Sequence, residues 1–193
     1  MSRRAVTQRI PLAALLLGMT AAFMPGCSAP EPASSRAPAT SAAPPETSVV
    51  QPASIDQLMA TVRAPGARMV LLNVWATWCL PCREEFPDIL RIGRAYRERG
   101  LRLVLVSGDF DTELPAIHRF LASHEVDFLT YIKQGDDMHF IDGIDPRWSG
   151  ALPATALYDG GGRRIKFHEG KVSYDTLHTW IESALAAPLV PSP

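Results

Sequence analysis

Residues 75–82 read Trp75-Ala76-Thr77-Trp78-Cys79-Leu80-Pro81-Cys82, and this stretch decides the fold. Just upstream, Met69 to Val74 (M-V-L-L-N-V) is a short apolar run, the pattern of a central strand buried on both faces. Downstream, Glu84, Glu85, Ile89, Leu90 and Ile92 to Tyr96 read as a long helix stopped by Gly100. The two cysteines, spaced C-x-x-C, therefore fall where a strand becomes a helix. The third cysteine, Cys27, lies far upstream in a different context. A thiol pair so placed is built for dithiol–disulfide exchange.

Working outward, Ser54 N-caps a helix through Val62 that ends at Pro65-Gly66. Leu101 to Val106 (L-R-L-V-L-V) is a second buried strand, Leu114 to Ser123 a helix, and Phe128 to Ile132 a short strand. Ala154 to Tyr158 and Arg164 to His168 flank Asp159-Gly160-Gly161-Gly162, a hairpin signal. Ser173 to Leu185 closes the pattern as an amphipathic helix. Strand, helix, strand, helix, then a hairpin and a helix predict an α/β sandwich with a mixed sheet. One compact domain over residues 54–187 accommodates these elements, followed by a short tail at 188–193.

The chemistry follows from placement. Backbone N–H groups at the start of a helix are unpaired, and their partial positive charge favours a thiolate at Cys79, with a pKa expected in the range ~3.5–7.5. Cys79 is expected to be the exposed attacking sulfur. Cys82, three residues on, reaches Cys79 while shielded from solvent. Attack on a client disulfide gives a mixed disulfide, which Cys82 resolves. Pro81 suits a first helical turn. A zinc site would want a second cysteine pair or a Cys/His pair at ligand spacing, and none is present. Covalent haem would need histidine after Cys82, where Arg83 stands. A purely structural bridge would constrain so short a loop little. No metal or cofactor is expected. The five histidines, His118, His124, His139, His168 and His178, are scattered and read as surface or packing residues.

The amino-terminal segment bears on compartment. Arg3, Arg4 and Arg9 precede an apolar stretch, Ile10 to Met24, too short for a membrane span of roughly 20 residues but suited to a signal-peptide core. Pro25-Gly26-Cys27 closes it. A small residue directly before cysteine resembles the lipobox of bacterial lipoproteins, which implies cleavage after residue 26 and a lipid on the Cys27 thiol. Ordinary secretion, giving a soluble periplasmic protein, is the alternative, and both readings place the domain outside the cytoplasm. Residues 27–53, rich in Pro, Ala and Ser, read as a flexible tether. Without residues 1–26 the chain carries 16 basic side chains against 20 acidic, and no basic run, so nucleic acid is not an expected partner.

Two segments, Asn73 to Pro87 (N-V-W-A-T-W-C-L-P-C-R-E-E-F-P) and Trp148 to Asp159 (W-S-G-A-L-P-A-T-A-L-Y-D), together with the element order, resemble the thioredoxin fold. More narrowly, they resemble the envelope-anchored reductases of the TlpA/ResA type. The resemblance implies that Glu85, three residues after Cys82 and two before Pro87, belongs to the active site as a proton acceptor for Cys82. It also implies that Asn73 stands where ordinary thioredoxins carry a buried, proton-accepting aspartate. An amide cannot accept that proton, so another group must. The competing reading makes Glu84 and Glu85 first-turn acids that favour the helix dipole. Pro153 aligns with the family's cis-proline, leaving the backbone of Leu152 free to pair with an extended substrate segment. Trp78 is expected to be partly exposed and to meet substrate, with Trp75 either beside it or in the core. Lys133 to Ala151, longer than a minimal thioredoxin needs, is expected to shape substrate choice.

The function implied is a periplasm-facing thiol–disulfide oxidoreductase acting as a reductant, lipid-anchored to the envelope and fed electrons by a membrane thiol-disulfide reductase. The implied clients are apocytochrome c cysteines before haem attachment or cysteine pairs of copper-centre proteins. A disulfide oxidant or isomerase, and a non-catalytic thioredoxin-like adaptor, are the alternatives.

Overall fold

The computed structural model describes residues 49–186. The expected signal peptide, the Cys27 lipidation site, most of the tether and the tail at 188–193 lie outside the described residues. In chain order the elements are β1 (Val50–Ala53), α1 (Ile55–Arg63), β2 (Met69–Trp75), α2 (Leu80–Tyr96), β3 (Leu101–Ser107), α3 (Leu114–Ser123), β4 (Thr130–Lys133), α4 (Asp137–Ile144), β5 (Ala154–Asp159), β6 (Arg164–Glu169) and α5 (Tyr174–Ala186). Six strands form one sheet in the order β1-β4-β3-β2-β5-β6. The first four of these are mutually parallel, β5 runs antiparallel to β2, and β6 runs antiparallel to β5.

β2 is central and buried along its whole length. Its side chains alternate between two cores, as the pleat requires. Met69, Leu71 and Trp75 face a cluster built with α2, α3 and α5, including Phe86, Ile89, Ile117, Leu121, Leu177 and Ile181. Val70, Leu72 and Val74 face a second cluster with α1 and α4, including Leu58, Val62, Phe140 and Ile144. Asn73 shares the pleat face of Leu71 and Trp75, so the one polar residue of the strand points toward α2. Gly93 lets α2 sit close on the sheet, because a Cβ there would lie 2.8 Å from Leu103 Cδ2.

The local signals hold in most places. Ser54 caps α1 in a capping box with Gln57, with Ser54 N donating to Gln57 Oε1 over 2.8 Å. The long helix ends in a 3-10 turn, Arg97–Arg99, before Gly100 at φ +91°. Two assignments are corrected. Val50–Ala53, placed in the tether by composition, form β1 and pair in parallel with β4. Pro52 is compatible with a strand there because β1 lies at the sheet edge, where a missing N–H costs no ladder bond. Residues 133–151 are not a plain connection, since they contain α4. Asp136 caps that helix by accepting from His139 N over 2.8 Å. Gly143 lets it pack on α1: a Cβ there would stand 2.3 Å from Ile55 Cγ1.

Candidate active site

The site lies at the carboxyl end of β2. Cys79 is the N-cap of α2, in extended backbone, and Cys82 N donates to Cys79 Sγ over 3.2 Å. The sulfur thus receives the hydrogen bond that a capping oxygen would take, and it lies at the positive end of the helix dipole. The two sulfurs are bonded to each other. Cys82 is fully buried, and Cys79 is only 5% exposed. The expectation of an exposed Cys79 is therefore corrected for the bonded state. The order of access holds, but the flanking Trp78 and Leu80, each 64% exposed, carry the solvent-facing surface. Trp75 is core, 1% exposed, stacked on Phe120 with ring centroids 4.8 Å apart.

One turn below Cys82, on the same helix face, is Glu85. Its carboxylate is 1% exposed and held from both sides. Asn73 Nδ2 donates to Oε1 over 2.9 Å and Val172 N donates to Oε2 over 2.7 Å. These bonds favour the ionised form, but burial outweighs them and pushes the pKa up to about 7. A carboxyl group so tuned can exchange a proton near neutrality. Glu84, by contrast, is exposed and forms a 2.7 Å salt bridge with Lys171. Asn73 Nδ2 also donates to Thr155 Oγ1 over 3.0 Å, while Asn73 Oδ1 is buried with no partner.

β5 supplies the other wall. Val74 pairs with Ala154, so the preceding Pro153 lies beside the Trp75–Ala76 turn. The Leu152–Pro153 bond is cis. Pro153 O accepts from Gly170 N over 2.8 Å, whereas Leu152 makes no backbone hydrogen bond among the described residues. Cys79, Cys82, Glu85, Trp78, Leu152 and Pro153 are thus brought to one end of the sheet from segments far apart in sequence. A cavity of about 830 Å³, lined by Gly66, Gly93, Arg94, Arg102 and Phe128, opens at the opposite end and takes no part. Among the described residues no group of three His, Cys, Asp or Glu side chains is placed to hold a metal, and no helix is long and apolar enough to cross a membrane. His124 packs between Phe86 and Phe120, and burial lowers its pKa.

Two polar clusters escaped the sequence reading. Asp109, 3% exposed, accepts from Thr77 N (3.0 and 3.2 Å), Thr77 Oγ1 (2.6 Å) and Ser107 Oγ (2.6 Å). This braces the turn that carries Trp78 and Cys79. Asp145, fully buried, accepts from Arg147 N (2.8 Å), Nε (3.0 Å) and Nη2 (2.8 Å), and pairs with Arg164 at 3.1 Å. Its hydrogen bonds with Arg147 hold its pKa below the usual carboxylate range. Nothing in the sequence joined Thr77 to Asp109 across 32 positions, or Asp145 to Arg164 on β6.

The chain is similar to curated thiol-disulfide oxidoreductases named ResA. It is 27% identical over 113 residues to that of Bacillus thuringiensis subsp. konkukian, covering 58% of this chain and 61% of the relative. It is 29% identical over 112 residues to that of Bacillus subtilis, covering 58% and 59%. The chain thus spans about three fifths of the length of these curated relatives. In fold it matches a crystal structure of a thiol:disulfide interchange protein of the thioredoxin family from Chlorobium tepidum, with a TM-score of 0.54 at 19% identity. That match covers 66% of this chain and 85% of the other. No family model matches the chain.

Proposed function

We propose, from a chain that is TlpA/ResA-like in sequence and thioredoxin-like in fold, a periplasm-facing thiol–disulfide oxidoreductase that reduces disulfides of envelope client proteins. One observation carries this reading: the Cys79–Cys82 pair begins a helix whose next turn holds a buried acid with a pKa near 7.

In the reduced protein the Cys79 thiolate attacks one sulfur of a client disulfide, and the client's other sulfur leaves as a thiolate that takes a proton from water. Cys82 then passes its proton to the Glu85 carboxylate and attacks Cys79 Sγ. The second client thiolate leaves, is protonated in turn, and the Cys79–Cys82 disulfide is closed. The client gains two electrons from the Cys79 thiolate and Cys82 and two protons from water, while the one proton of Cys82 stays on Glu85. Protonated Glu85 has a ready acceptor. If the Asn73 amide turns over, its unpartnered Oδ1 faces Glu85 and accepts the new O–H, while the loss of the Asn73 donor removes a bond that favoured the anion. The unpaired backbone of Leu152 offers a strand-like edge to an extended client segment beside Trp78.

A membrane thiol-disulfide reductase restores the dithiol in this scheme, and a lipid on Cys27 keeps the domain near it. The clients are apocytochrome c cysteines or cysteine pairs of copper-centre proteins. A Cys82→Ala variant tests the scheme directly, because it should accumulate mixed disulfides that identify the client by mass spectrometry. A reduction potential near thioredoxin's ~−270 mV supports a reductant, and one near ~−120 mV would replace this reading by an oxidant. Loss of lipid labelling in Cys27→Ser tests the anchor.

A further inference from the structure

The large apolar side chains left in solvent are not scattered. Six are exposed among the described residues: Val49, Trp78, Leu80, Phe110, Leu129 and Met138. Val49 and Leu129 lie at the amino ends of β1 and β4. The other four lie beyond the carboxyl ends of the parallel strands: Trp78 and Leu80 flank the dithiol, Phe110 follows β3, and Met138 lies on α4 after β4. Phe110 is the most exposed of all, at 78%.

Phe110 is held there by a rigid corner. Gly108 N donates to Trp75 O over 2.7 Å. Asp109, one residue before the exposed ring, is buried under the Thr77 and Ser107 hydrogen bonds. On its other side the corner touches Leu152: a Cβ on Gly108 would lie 3.4 Å from Leu152 Cδ1. A segment paired on the Leu152 backbone would pass directly in front of this corner. A phenyl ring left in water beside a cleft, on a backbone braced by these hydrogen bonds, offers apolar surface that a bound segment can cover. Two exposed acids follow in the short turn after it, Asp111 and Glu113. Neither forms a salt bridge among the described residues.

We propose that the corner Gly108–Glu113 is a second wall of the client cleft. Its occupant is an extended, cationic, disulfide-bearing polypeptide segment. Phe110 seats an apolar side chain flanking the client's cysteine, and Asp111 and Glu113 select a Lys or Arg near it. This rests on the reading of Cys79–Cys82 as a client-reducing dithiol.

Single-turnover oxidation of the pre-reduced full chain, followed by tryptophan fluorescence, tests it. The probes are hydroxyethyl disulfide and three short peptides with an internal disulfide, flanked by Leu and Lys, by Ser and Lys, or by Leu and Glu. The Leu/Lys peptide should reach half-maximal rate at the lowest concentration. Phe110→Ser should raise that concentration roughly 10-fold, which is about 1.4 kcal/mol, without changing the maximal rate or the hydroxyethyl disulfide rate. Phe110→Leu should restore it. The double variant Asp111→Asn, Glu113→Gln should remove the preference for Lys over Glu, as should ~1 M salt. Equal half-saturation for the three peptides, or a Phe110→Ser effect that also slows hydroxyethyl disulfide, would overturn the proposal. Failure of the native protein to reduce hydroxyethyl disulfide would instead overturn the dithiol reading, and this proposal with it.

Discussion

Replacing Glu85 by glutamine should erase a specific pH dependence of stability. In the native protein this carboxyl group ionises near pH 7 rather than at its ordinary 4.5. Between those two values the folded chain keeps a proton that the unfolded chain has released. Stability therefore falls as pH rises through this window. Below pH 4.5 the contribution is fully present, and above pH 7 it is gone. A difference of 7 minus 4.5 units at 1.36 kcal/mol per unit is about 3 kcal/mol. The glutamine amide carries no titrating proton, so the Glu85→Gln variant lacks that slope. It also meets two donors, Asn73 Nδ2 and Val172 N, with only one oxygen, at a pH-independent cost of ~1–3 kcal/mol. The variant should thus be the less stable protein at pH 4 and should equal or exceed the native protein at pH 8. Guanidinium unfolding of both proteins across pH 4–8.5, with the cysteines kept oxidised, isolates the effect, because the disulfide does not titrate and all other groups are shared. A stability difference between the two that is the same at pH 4 and pH 8 would refute the burial argument. The same variant should slow resolution of the mixed disulfide, and the inflection near pH 7 in that step should disappear.

In the fully reduced protein, alkylation near pH 7 should modify Cys79 at least ~10-fold faster than Cys82, because only Cys79 combines a helix-stabilised thiolate with an approach from solvent; equal rates by mass spectrometry would contradict this. Asp109→Ala strips the acceptor from two hydroxyls and a backbone N–H, and should destabilise the fold by about 2–3 kcal/mol in chemical denaturation, with faster proteolysis around residues 76–80. Asp145→Ala leaves the Arg164 guanidinium without its buried partner and should lose about 3 kcal/mol, seen as a lowered Tm. Gly143→Ala drives a methyl group into Ile55 and should lose ~1–3 kcal/mol, while Gly135→Ala, which has open space but φ +97°, tests backbone strain alone.

Much of the fold was legible because its signals are local. The apolar run of β2 and the capping box at Ser54 each occupy a few adjacent residues, and α3 was bounded to the residue at both ends. β1 was missed because four residues containing a proline carry no strand pattern of their own. Their strand state comes from pairing with β4, about 80 positions away. α4 was missed because a run rich in Asp and Gly scores poorly as helix until its apolar residues, Phe140 and Ile144, find the far face of the sheet.

The candidate site divides along the same line. Which sulfur caps the helix, and which waits behind it, follows from C-x-x-C after a strand, because three residues of helix determine that geometry. The identity of Glu85 as a candidate rested on spacing and resemblance. Its acidity did not, because a carboxyl pKa depends on what surrounds it in space. Val172 reaches Glu85 across 87 positions and Thr155 reaches Asn73 across 82. The hydrogen bonds that Thr77 donates to Asp109 likewise exist only once β2 and β3 lie side by side. Short-range sterics and hydrogen bonding are written into neighbouring residues, whereas burial, and the electrostatics it amplifies, belong to the packed chain.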